Sequence, residues 1–368
     1  MRTIGIALAL SVLWLSLGNA YAGPVRMGSW NMMRLGDGGE KSYPALALVV
    51  SQLDFVAIQE VMNQQGVDSL ERAVEQRTGE PWTALCSSPA GSRSYKESYC
   101  FLTRDSAVKL EDGAVSFLDR KRVFMREPFS ARFRSVSDGA TFAAATVHII
   151  YGKGPEDRVV ELQELGSYWS WLEQIYPGEP IMLMGDFNMP PSHPAFAALR
   201  SRAVSLVNRG ATTLSMSERR FVNLYDLLWT NPKARQSIDG LGVVNFPGML
   251  GWSHAQARQY VSDHAPIAWG FGGARLSPQV QMAYTQAQGQ RSITNAPAAN
   301  SSVFAATDQQ RAQPAAGAGV VHANRSSMIY HLATGCPSHD TISRKNLVVF
   351  STEADAIRNQ YRKAANCR

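Results

Sequence analysis

The chain has 368 residues, 45% of them hydrophobic and 18% charged, so it can form one full-sized domain with additional segments. This composition excludes a disordered or fibrous protein. Lys and Arg outnumber Asp and Glu by 36 to 30, and a net charge of +6 fits a polyanionic partner, although an ordinary basic exported protein has the same balance.

The first 22 residues have the pattern of a secretory signal peptide. A positive charge at Arg2 precedes an apolar run from Ile4 to Leu17, and small residues follow at Ala20 and Ala22. An uncleaved anchor is the alternative, but the run is short for a membrane-spanning helix. We therefore expect cleavage after Ala22, a mature protein in the periplasm or the medium, and no stable association with the membrane.

Residues 23–273 alternate short apolar runs with amphipathic stretches, which is typical of an α/β layered domain. Four runs are short, apolar and bounded by turn residues, and therefore predict buried strands: VRMGSW, DFVAIQEV, TFAAATVHII and PIMLMGDF. Between the last two, segment 157–176 predicts a helix with one apolar face, formed by Leu162, Leu165, Trp169, Leu172 and Ile175.

The four cysteines fall into two pairs, and export favours disulfides over free thiols. Cys86 and Cys100 lie in strand-like stretches on either side of a polar turn, so a hairpin would place them opposite one another. Cys336 and Cys367 both lie near the carboxyl terminus and are expected to form the second bridge.

The end of the chain differs in composition from the first domain. Residues 274–326 are rich in Gln, Ala, Ser, Asn and Pro, which predicts a flexible, low-complexity linker. Residues 327–368 predict a small basic module with a strand at VVF and a helical pattern in TEADAIRNQYRKA. So small a unit needs a covalent or metal staple.

Several strand-like runs of the first domain end in residues that suit phosphodiester hydrolysis. Each has a structural explanation as a turn former or cap, but together they place acids, amides and imidazoles at strand ends, where α/β sites assemble. Oxygen ligands suit Mg²⁺ or Ca²⁺, and the domain has no Cys or His cluster with zinc spacing. The residues are Asn31, Glu60, His148, Asp186, Asn188, Asp263 and His264.

The ordered set WN, QE, SYKE, H, GDFN and SDH resembles the endonuclease/exonuclease/phosphatase superfamily, and within it the deoxyribonuclease I type. The likeness covers roughly residues 25–272 and is strongest in GSRSYKESYCFLTR, REP and MLMGDFN. It implies an α/β fold, a four-layered sandwich of two β-sheets packed face to face with helices outside. The strand and helix patterns of residues 327–368, which lie outside the resemblance, indicate a small α+β module.

The resemblance implies a role for each matching residue. Glu60 would hold the catalytic cation, with Asn31 beside it and Asp263 supporting the metal site. His148 and His264 would be the catalytic histidines, and Glu97, Asp226, Asp186 and Asn188 would assist them.

In these assignments Glu97 would orient His148, and Asp186 with Asn188 would bind phosphate and water or a second cation. The acid that orients His264 is Asp226, in NLYDLLW, or Asp239, in SIDG, and the family pattern favours the former.

Three residues would contact DNA by the same resemblance. Tyr95 would pack against the sugar in the minor groove, while Arg93 and Arg126 would bind backbone phosphates.

The resemblance predicts an endonuclease that cuts DNA to leave 5′-phosphate ends and uses Mg²⁺, with Ca²⁺ or Mn²⁺ as alternatives. With the signal pattern, we expect an exported enzyme, and we expect it to be a monomer. Whether RNA is also a substrate is left open. Two other functions are weighed against it: a sphingomyelinase-like phosphodiesterase of the same superfamily acting on lipid headgroups, and a catalytically inactive DNA-binding relative.

The carboxyl-terminal module is distantly similar to the zinc-binding module of the Ada repair protein. His331, Cys336 and Cys367 remain as ligands, but the four-cysteine set of that module is absent. For an oxidising compartment we therefore favour a disulfide between Cys336 and Cys367 over a zinc site.

Overall fold

In the computed structural model the chain forms two compact units, and the division falls after residue 297. The described residues are 24–37, 40–215, 220–276, 321–324, 327–333, 336, 342, 346–350, 352–359, 361–364 and 367. The predicted signal peptide and most of the predicted linker lie outside these ranges. Among the described helices, none is both long and apolar enough to cross a membrane.

The first unit contains thirteen strands among the described residues. In chain order they are β1 (Val25–Leu35), β2 (Phe55–Val61), β3 (Trp82–Cys86), β4 (Ala90–Gly91), β5 (Lys96–Arg104), β6 (Val108–Ser116), β7 (Phe129–Ser135), β8 (Thr141–His148), β9 (Ile181–Asp186), β10 (Val204–Ser205), β11 (Asp226–Thr230), β12 (Ile238–Val243) and β13 (Ile267–Phe271).

Helices flank these strands along the chain. They are α1 (Tyr43–Val50), α2 (Gln64–Thr78), α3 (Val159–Ile175), α4 (Ala197–Arg200), α5 (Pro232–Gln236), α6 (Phe246–Leu250) and α7 (His254–Tyr260), with 3₁₀ turns at Pro155–Arg158 and Pro194–Phe196.

The strands form two sheets that pack face to face. The first has the order β12-β13-β1-β2-β5-β3, with β4 paired to β5, and the second has the order β10-β11-β9-β8-β7-β6. Aromatic rings join them, because Phe55 of β2 contacts Phe133 and Phe142 of the second sheet at centroid distances of 5.0 and 5.8 Å. With helices outside, this is the predicted four-layered α/β sandwich.

The elements predicted from apolar patterns are present. The four apolar runs form β1, β2, β8 and β9, and the predicted amphipathic segment forms α3. Its predicted apolar face is buried at Leu162, Leu165, Trp169 and Leu172, whereas Ile175, at the last position of the helix, is exposed. Trp169 therefore belongs to the core, as the spacing predicts.

Strand direction brings chemically active residues to one edge of the sandwich. β1 and β2 run parallel, as do β8 and β9, so their carboxyl ends point the same way. In the second sheet His148 pairs with Asp186, which pairs in turn with Asp226 at the start of antiparallel β11. Three candidate residues thus occupy one row across three adjacent strands.

Gly185 allows β8 and β9 to approach closely beside this row. Its φ is +137°, and a Cβ there would lie 2.1 Å from the carbonyl oxygen of Val147. Any side chain would therefore push apart the strands that carry His148 and Asp186, which explains why glycine precedes the aspartate.

The predicted disulfide of the first unit is confirmed. β3 pairs with β5 in a register that puts Cys86 directly opposite Cys100, and their sulfurs are bonded. The bridge lies three residues beyond Glu97 on β5, the strand that contributes this acid to the edge described above.

The second unit is a small four-stranded sheet with one described helix. Its order is β16-β14-β15-β17, and a disulfide joins Cys336 to Cys367. The elements are β14 (Val321–Asn324), β15 (Ile329–His331), β16 (Leu347–Phe350), α8 (Glu353–Arg358) and β17 (Arg362–Lys363).

Two boundaries predicted for the second unit are wrong. β14 pairs with β15 and β16, so the module already includes Val321, which the composition had assigned to the linker. The predicted helix also ends early, because Tyr361 is buried against Phe350 and Arg362 pairs with Ile329 in the sheet. Packing overrides the helical pattern there.

Candidate active site

A cleft of about 390 Å³ opens at the shared edge of the two sheets. It brings together six residues that the sequence singles out, although they are far apart in the chain. These are Glu60, His148, Asp186, Asn188, Asp263 and His264.

His148 is held by an acid behind it. Its Nδ1 lies 2.5 Å from Oε1 of Glu97, which is itself buried. Burial alone would lower the pKa of His148, but the Glu97 carboxylate raises it above the ordinary value. Burial opposes ionisation of Glu97, yet the charges of His148 and Arg126 hold its pKa below the ordinary value.

His264 is held in the same way from the other side of the cleft. Its Nδ1 lies 2.8 Å from Oδ2 of Asp226, and Trp30 donates to its carbonyl oxygen at 2.7 Å. Burial would lower the pKa of His264, but the carboxylates of Asp226 and Asp186 raise it well above the ordinary value. Asp239, the other candidate partner, is exposed in β12.

Asp186 lies between the two imidazoles. Its Oδ2 is 3.6 Å from Nε2 of His148 and 3.5 Å from Nε2 of His264, while its Oδ1 accepts the backbone N–H of Asn188 at 2.9 Å. Burial would raise the pKa of Asp186, but the two histidines and hydrogen bonds from Asn188 and Asn31 lower it. Asp186 is therefore a buried carboxylate stabilised as the anion.

Glu60 reaches the cleft from a strained position in β2. Its φ is +60°, in the left-handed region that costs energy for any residue but glycine, and the pairing of β2 with β5 shifts register around it. The N–H of Arg34 donates to its Oε2 at 3.0 Å. The strain turns this carboxylate out of the sheet and into the cleft.

Asn31 lies beside Glu60, where the resemblance predicts it, and its amide is fixed by three hydrogen bonds. Its Oδ1 accepts the N–H of Met33 at 2.9 Å, and its Nδ2 donates to Glu60 at 2.9 Å and to Asp186 at 3.1 Å. Asn31 thus bridges two carboxylates and fixes their separation.

Asn188 and Asp263 complete the predicted set. Asn188 has a φ of +50° and donates from Nδ2 to the carbonyl oxygen of Ile149 at 2.8 Å. Asp263 is partly exposed in the cleft, and its Oδ2 lies 3.5 Å from a guanidinium nitrogen of Arg258.

Arg126 is placed where a phosphate contact does not fit. The residue is 7% exposed, and its Nε and Nη2 donate to the carbonyl oxygen of His148 at 3.1 and 2.9 Å. Its Nε also lies 3.5 Å from Oε1 of Glu97. The side chain therefore supports the Glu97–His148 pair from beneath, because the loop that carries it folds under β8.

Arg93 and Tyr95 lie on the loop between β4 and β5. Arg93 is exposed, and Tyr95 is half-buried. Gly91 starts this loop with a φ of +136°, where a Cβ would lie 2.4 Å from the carbonyl oxygen of Tyr95. Both side chains are accessible to solvent.

Four residues near the cleft escaped the sequence analysis. The backbone N–H of Arg34 binds Glu60, and its guanidinium lies over the ring of Tyr95 at 5.6 Å. Tyr151, Arg158 and Tyr225 form a second aromatic and cationic group. The letters RL after WNMM and IIY after the His148 position were the available signals. Neither pattern is specific without the contacts that the fold creates.

The geometry suits proton transfer at a group bound in the cleft. Each imidazole uses Nδ1 to bind a carboxylate and leaves Nε2 directed towards the centre. Two such histidines can serve as a general base and a general acid for one reaction. The Asn31–Glu60–Asp186 network supplies the anionic oxygens beside them.

The chain is similar to several known proteins. A model described as the "Endonuclease/Exonuclease/phosphatase family" matches residues 28–264. A "Deoxyribonuclease" of Thioalkalivibrio sp. (strain K90mix) is 43% identical over 289 residues, covering 76% of this chain and 79% of that protein. "Deoxyribonuclease-1" of Bos taurus is 28% identical over 292 residues, covering 72% and 97%.

Among solved structures, the human nocturnin catalytic domain with bound sulfate is 17% identical, with a TM-score of 0.48, and covers 68% of this chain and 94% of that one. The family match extends from β1 to the SDH motif and so contains every cleft residue of the predicted set. The chain belongs to the endonuclease/exonuclease/phosphatase family of hydrolytic nucleases and phosphodiesterases.

Proposed function

We propose that the chain is an exported, divalent-metal-dependent endonuclease that hydrolyses the phosphodiester backbone of DNA and leaves 5′-phosphate ends. The observation that carries this proposal is the convergence of two acid-bound histidines on one buried carboxylate, Asp186. Relatives named deoxyribonuclease support DNA as the substrate.

The donor set fits a hard divalent cation. Glu60, Asp186 and Asp263 offer carboxylate oxygens within one cleft, and Mg²⁺, Ca²⁺ and Mn²⁺ all prefer such ligands. Glu60 would hold the cation, with Asp263 supporting it and Asn31 fixing the Glu60 carboxylate. When bound, the cation would offset the negative charge that builds on the phosphoryl oxygens.

The protein groups account for the proton transfers. One histidine accepts a proton through Nε2 from the attacking water, and the other donates a proton to the departing 3′ oxygen. Glu97 and Asp226 hold the rings through Nδ1 and stabilise the imidazolium that forms on each. Asp186 and Asn188 position the phosphate and the water between them.

The DNA-binding surface would lie on the loop before β5. Arg93 is exposed and free to approach a phosphate, and Tyr95 presents a ring beside the cleft. The guanidinium of Arg34 lies over this ring and is paired with Asp37, while the backbone N–H of Arg34 donates to Glu60. The net charge of +6 favours association with a polyanion.

Export and organisation are further parts of the proposal. Two disulfides suit an oxidising compartment, and the signal pattern predicts a mature chain that starts at Gly23. Residues 23–273 would act as a monomeric catalytic domain, tethered through the linker to the basic module. Amino-terminal sequencing and the mass in solution test these two points.

Nicking of a supercoiled plasmid tests the activity. The protein is expected to nick DNA with Mg²⁺, to stop with chelator and to resume when Mg²⁺ is restored. His148→Ala and His264→Ala should each reduce nicking at least about 100-fold with an unchanged circular dichroism spectrum. His193→Ala, which alters a histidine outside the cleft, is the control and should remain active.

The ends and the substrate range complete the test. Product ends should accept a radioactive phosphate from polynucleotide kinase only after phosphatase treatment, as 5′-phosphates require. Hydrolysis of sphingomyelin without nicking of DNA would overturn the proposal, and so would robust nicking by either histidine variant. Digestion of RNA in parallel determines whether the enzyme distinguishes ribose from deoxyribose.

A further inference from the structure

We propose that Tyr151, held by Arg158, is a stacking site for one unpaired nucleobase next to the scissile phosphate. The site would increase cleavage of single strands and frayed ends relative to cleavage of fully paired duplex. This inference rests on the proposed nuclease function and extends it to the choice of substrate.

Tyr151 is an exposed aromatic residue at the wall of the cleft. It follows His148 by three positions, lines the cleft together with that histidine and is 60% exposed. A large ring so accessible to water gains little from packing within the protein. It is therefore available to cover an apolar surface on a ligand.

Arg158 fixes the position of this ring. Its guanidinium carbon lies 4.3 Å from the ring centroid of Tyr151, and its Nε donates to the carbonyl oxygen of the same residue at 2.9 Å. Cation–π contact and hydrogen bond together hold both the backbone and the side chain of Tyr151. Binding a base would then cost little additional ordering of the protein.

Arg158 also ties this ring to the phosphate site. It is 5% exposed, its Nη1 donates to the carbonyl oxygen of Asn188, and it lies 5.6 Å from the ring centroid of Tyr225. In the described part of the chain no carboxylate lies within ion-pair distance of its guanidinium. The positive charge beneath Tyr151 is thus left to attract an anionic ligand.

The ligand that fits this pair is a nucleobase attached to a phosphate. A planar base can cover the exposed ring of Tyr151, while the adjoining phosphate occupies the cleft beside Asn188 and His148. A choline headgroup could also meet an aromatic ring, but as a cation it would be repelled by Arg158. The charge of Arg158 therefore favours the nucleotide.

Stacking on Tyr151 requires a base that has lost a neighbour. In duplex DNA both faces of a base are covered, and extruding it costs a few kcal/mol, whereas a base in a single strand is already accessible. The site thus distinguishes single strands from duplex DNA by the free energy needed to unstack one base. Tyr95 has a different cationic partner, because the guanidinium of Arg34 lies 5.6 Å from its ring centroid.

Cleavage of matched oligonucleotides tests the site. Tyr151→Ala should lower kcat/KM for a single strand by about 5- to 150-fold, the range for one base–aromatic stack. The loss for the corresponding duplex should be smaller, so the ratio of single-strand to duplex cleavage falls. Tyr151→Phe keeps the ring and should restore the ratio, and Leu118→Ala, an exposed apolar truncation outside the cleft, is the control.

Binding without cleavage separates stacking from catalysis. In a His264→Ala background with Ca²⁺, a single strand carrying 2-aminopurine beside each phosphate in turn should show quenched fluorescence at one position. Quenching should be lost with Tyr151→Ala and kept with Tyr151→Phe.

The two proposals fail in different ways. If Tyr151→Ala cuts single strands within twofold of the unaltered protein, or if Tyr151→Phe is as impaired as Tyr151→Ala, the stacking site is wrong while the nuclease stands. If the unaltered protein cuts no DNA with any divalent cation, the nuclease proposal itself is overturned.

Discussion

Arg126 donates two hydrogen bonds to the carbonyl oxygen of His148, at 3.1 and 2.9 Å, from a buried position beneath the cleft. The same guanidinium lies 3.5 Å from Glu97, the acid that binds the ring of His148. The guanidinium of Arg126 thus fixes the backbone of His148 and stabilises the negative charge of Glu97. This makes Arg126 a positioning residue that acts through His148.

Replacing Arg126 should therefore slow turnover more than it weakens DNA binding. We expect Arg126→Met to lower kcat about 10- to 100-fold, because small displacements of a catalytic group have costs of this size. Arg126→Lys keeps the charge but not the planar fork, and should recover only part of the loss.

The salt dependence of DNA binding distinguishes this role from a phosphate contact. Loss of a phosphate contact reduces the slope of log affinity against log salt by about one. For Arg126→Met we expect no change in this slope, whereas Arg93→Gln should reduce it. A reduced slope for Arg126→Met with kcat preserved would show that Arg126 contacts the DNA backbone.

The partner of His264 can be tested with two isosteric changes. Asp226→Asn removes the charge that stabilises the imidazolium and should lower kcat about 10²- to 10⁴-fold. Asp239→Asn alters an exposed acid of β12 and should leave kcat within twofold. Equal losses in the two variants would refute the assignment of Asp226.

Much of the site could be predicted because its residues lie at the ends of strands. His148 and Asp186 each close an apolar run that forms a parallel strand, and such runs deliver their last residues to the same edge of a sheet. Asp226 starts an antiparallel strand and arrives at this edge from the other direction. Local patterns and the order of motifs were sufficient for His148 and Asp186, whereas only the family resemblance favoured Asp226 over Asp239.

The remaining features depend on contacts that no local pattern encodes. Arg126 lies in a loop, and only the packing of that loop under β8 buries its charge. The amide of Asn31 is turned by the N–H of Met33, which the motif does not specify. Tyr151 became interpretable only once Arg158, seven positions later, was found against its ring.

The bridge between Cys86 and Cys100 should stabilise the first unit. A disulfide that closes a loop of about 15 residues contributes about 3 kcal/mol by limiting the freedom of the unfolded chain. We therefore expect the double variant Cys86→Ser, Cys100→Ser to lose about this much free energy of unfolding in urea.

The second disulfide provides the matched control for this measurement. The double variant Cys336→Ser, Cys367→Ser alters only the second unit and should leave the unfolding of the first unit unchanged. An unchanged free energy of unfolding without the Cys86–Cys100 bridge would mean that pairing of β3 with β5 is sufficient to hold these strands.

Lys41 gives the stability a dependence on alkaline pH. Its Nζ donates to the carbonyl oxygen of Val261 at 2.7 Å, and burial lowers its pKa to about 8 from an ordinary value of 10.5, although Asp263 and Glu60 oppose this shift. Between these two values the unfolded chain keeps the proton that the folded protein has released. The free energy of unfolding gains a contribution that increases with pH across this window.

Comparison with Lys41→Met isolates this contribution, because methionine does not titrate. From pH 8 to 10 the stability of the unaltered protein should rise relative to that of the variant, and below pH 8 the difference should be constant. Lys109→Met, which removes an exposed lysine paired with Asp105, is the control for the loss of a surface charge. A difference between the unaltered protein and Lys41→Met that stays flat from pH 7 to 10 would mean that Lys41 keeps an ordinary pKa in the folded protein.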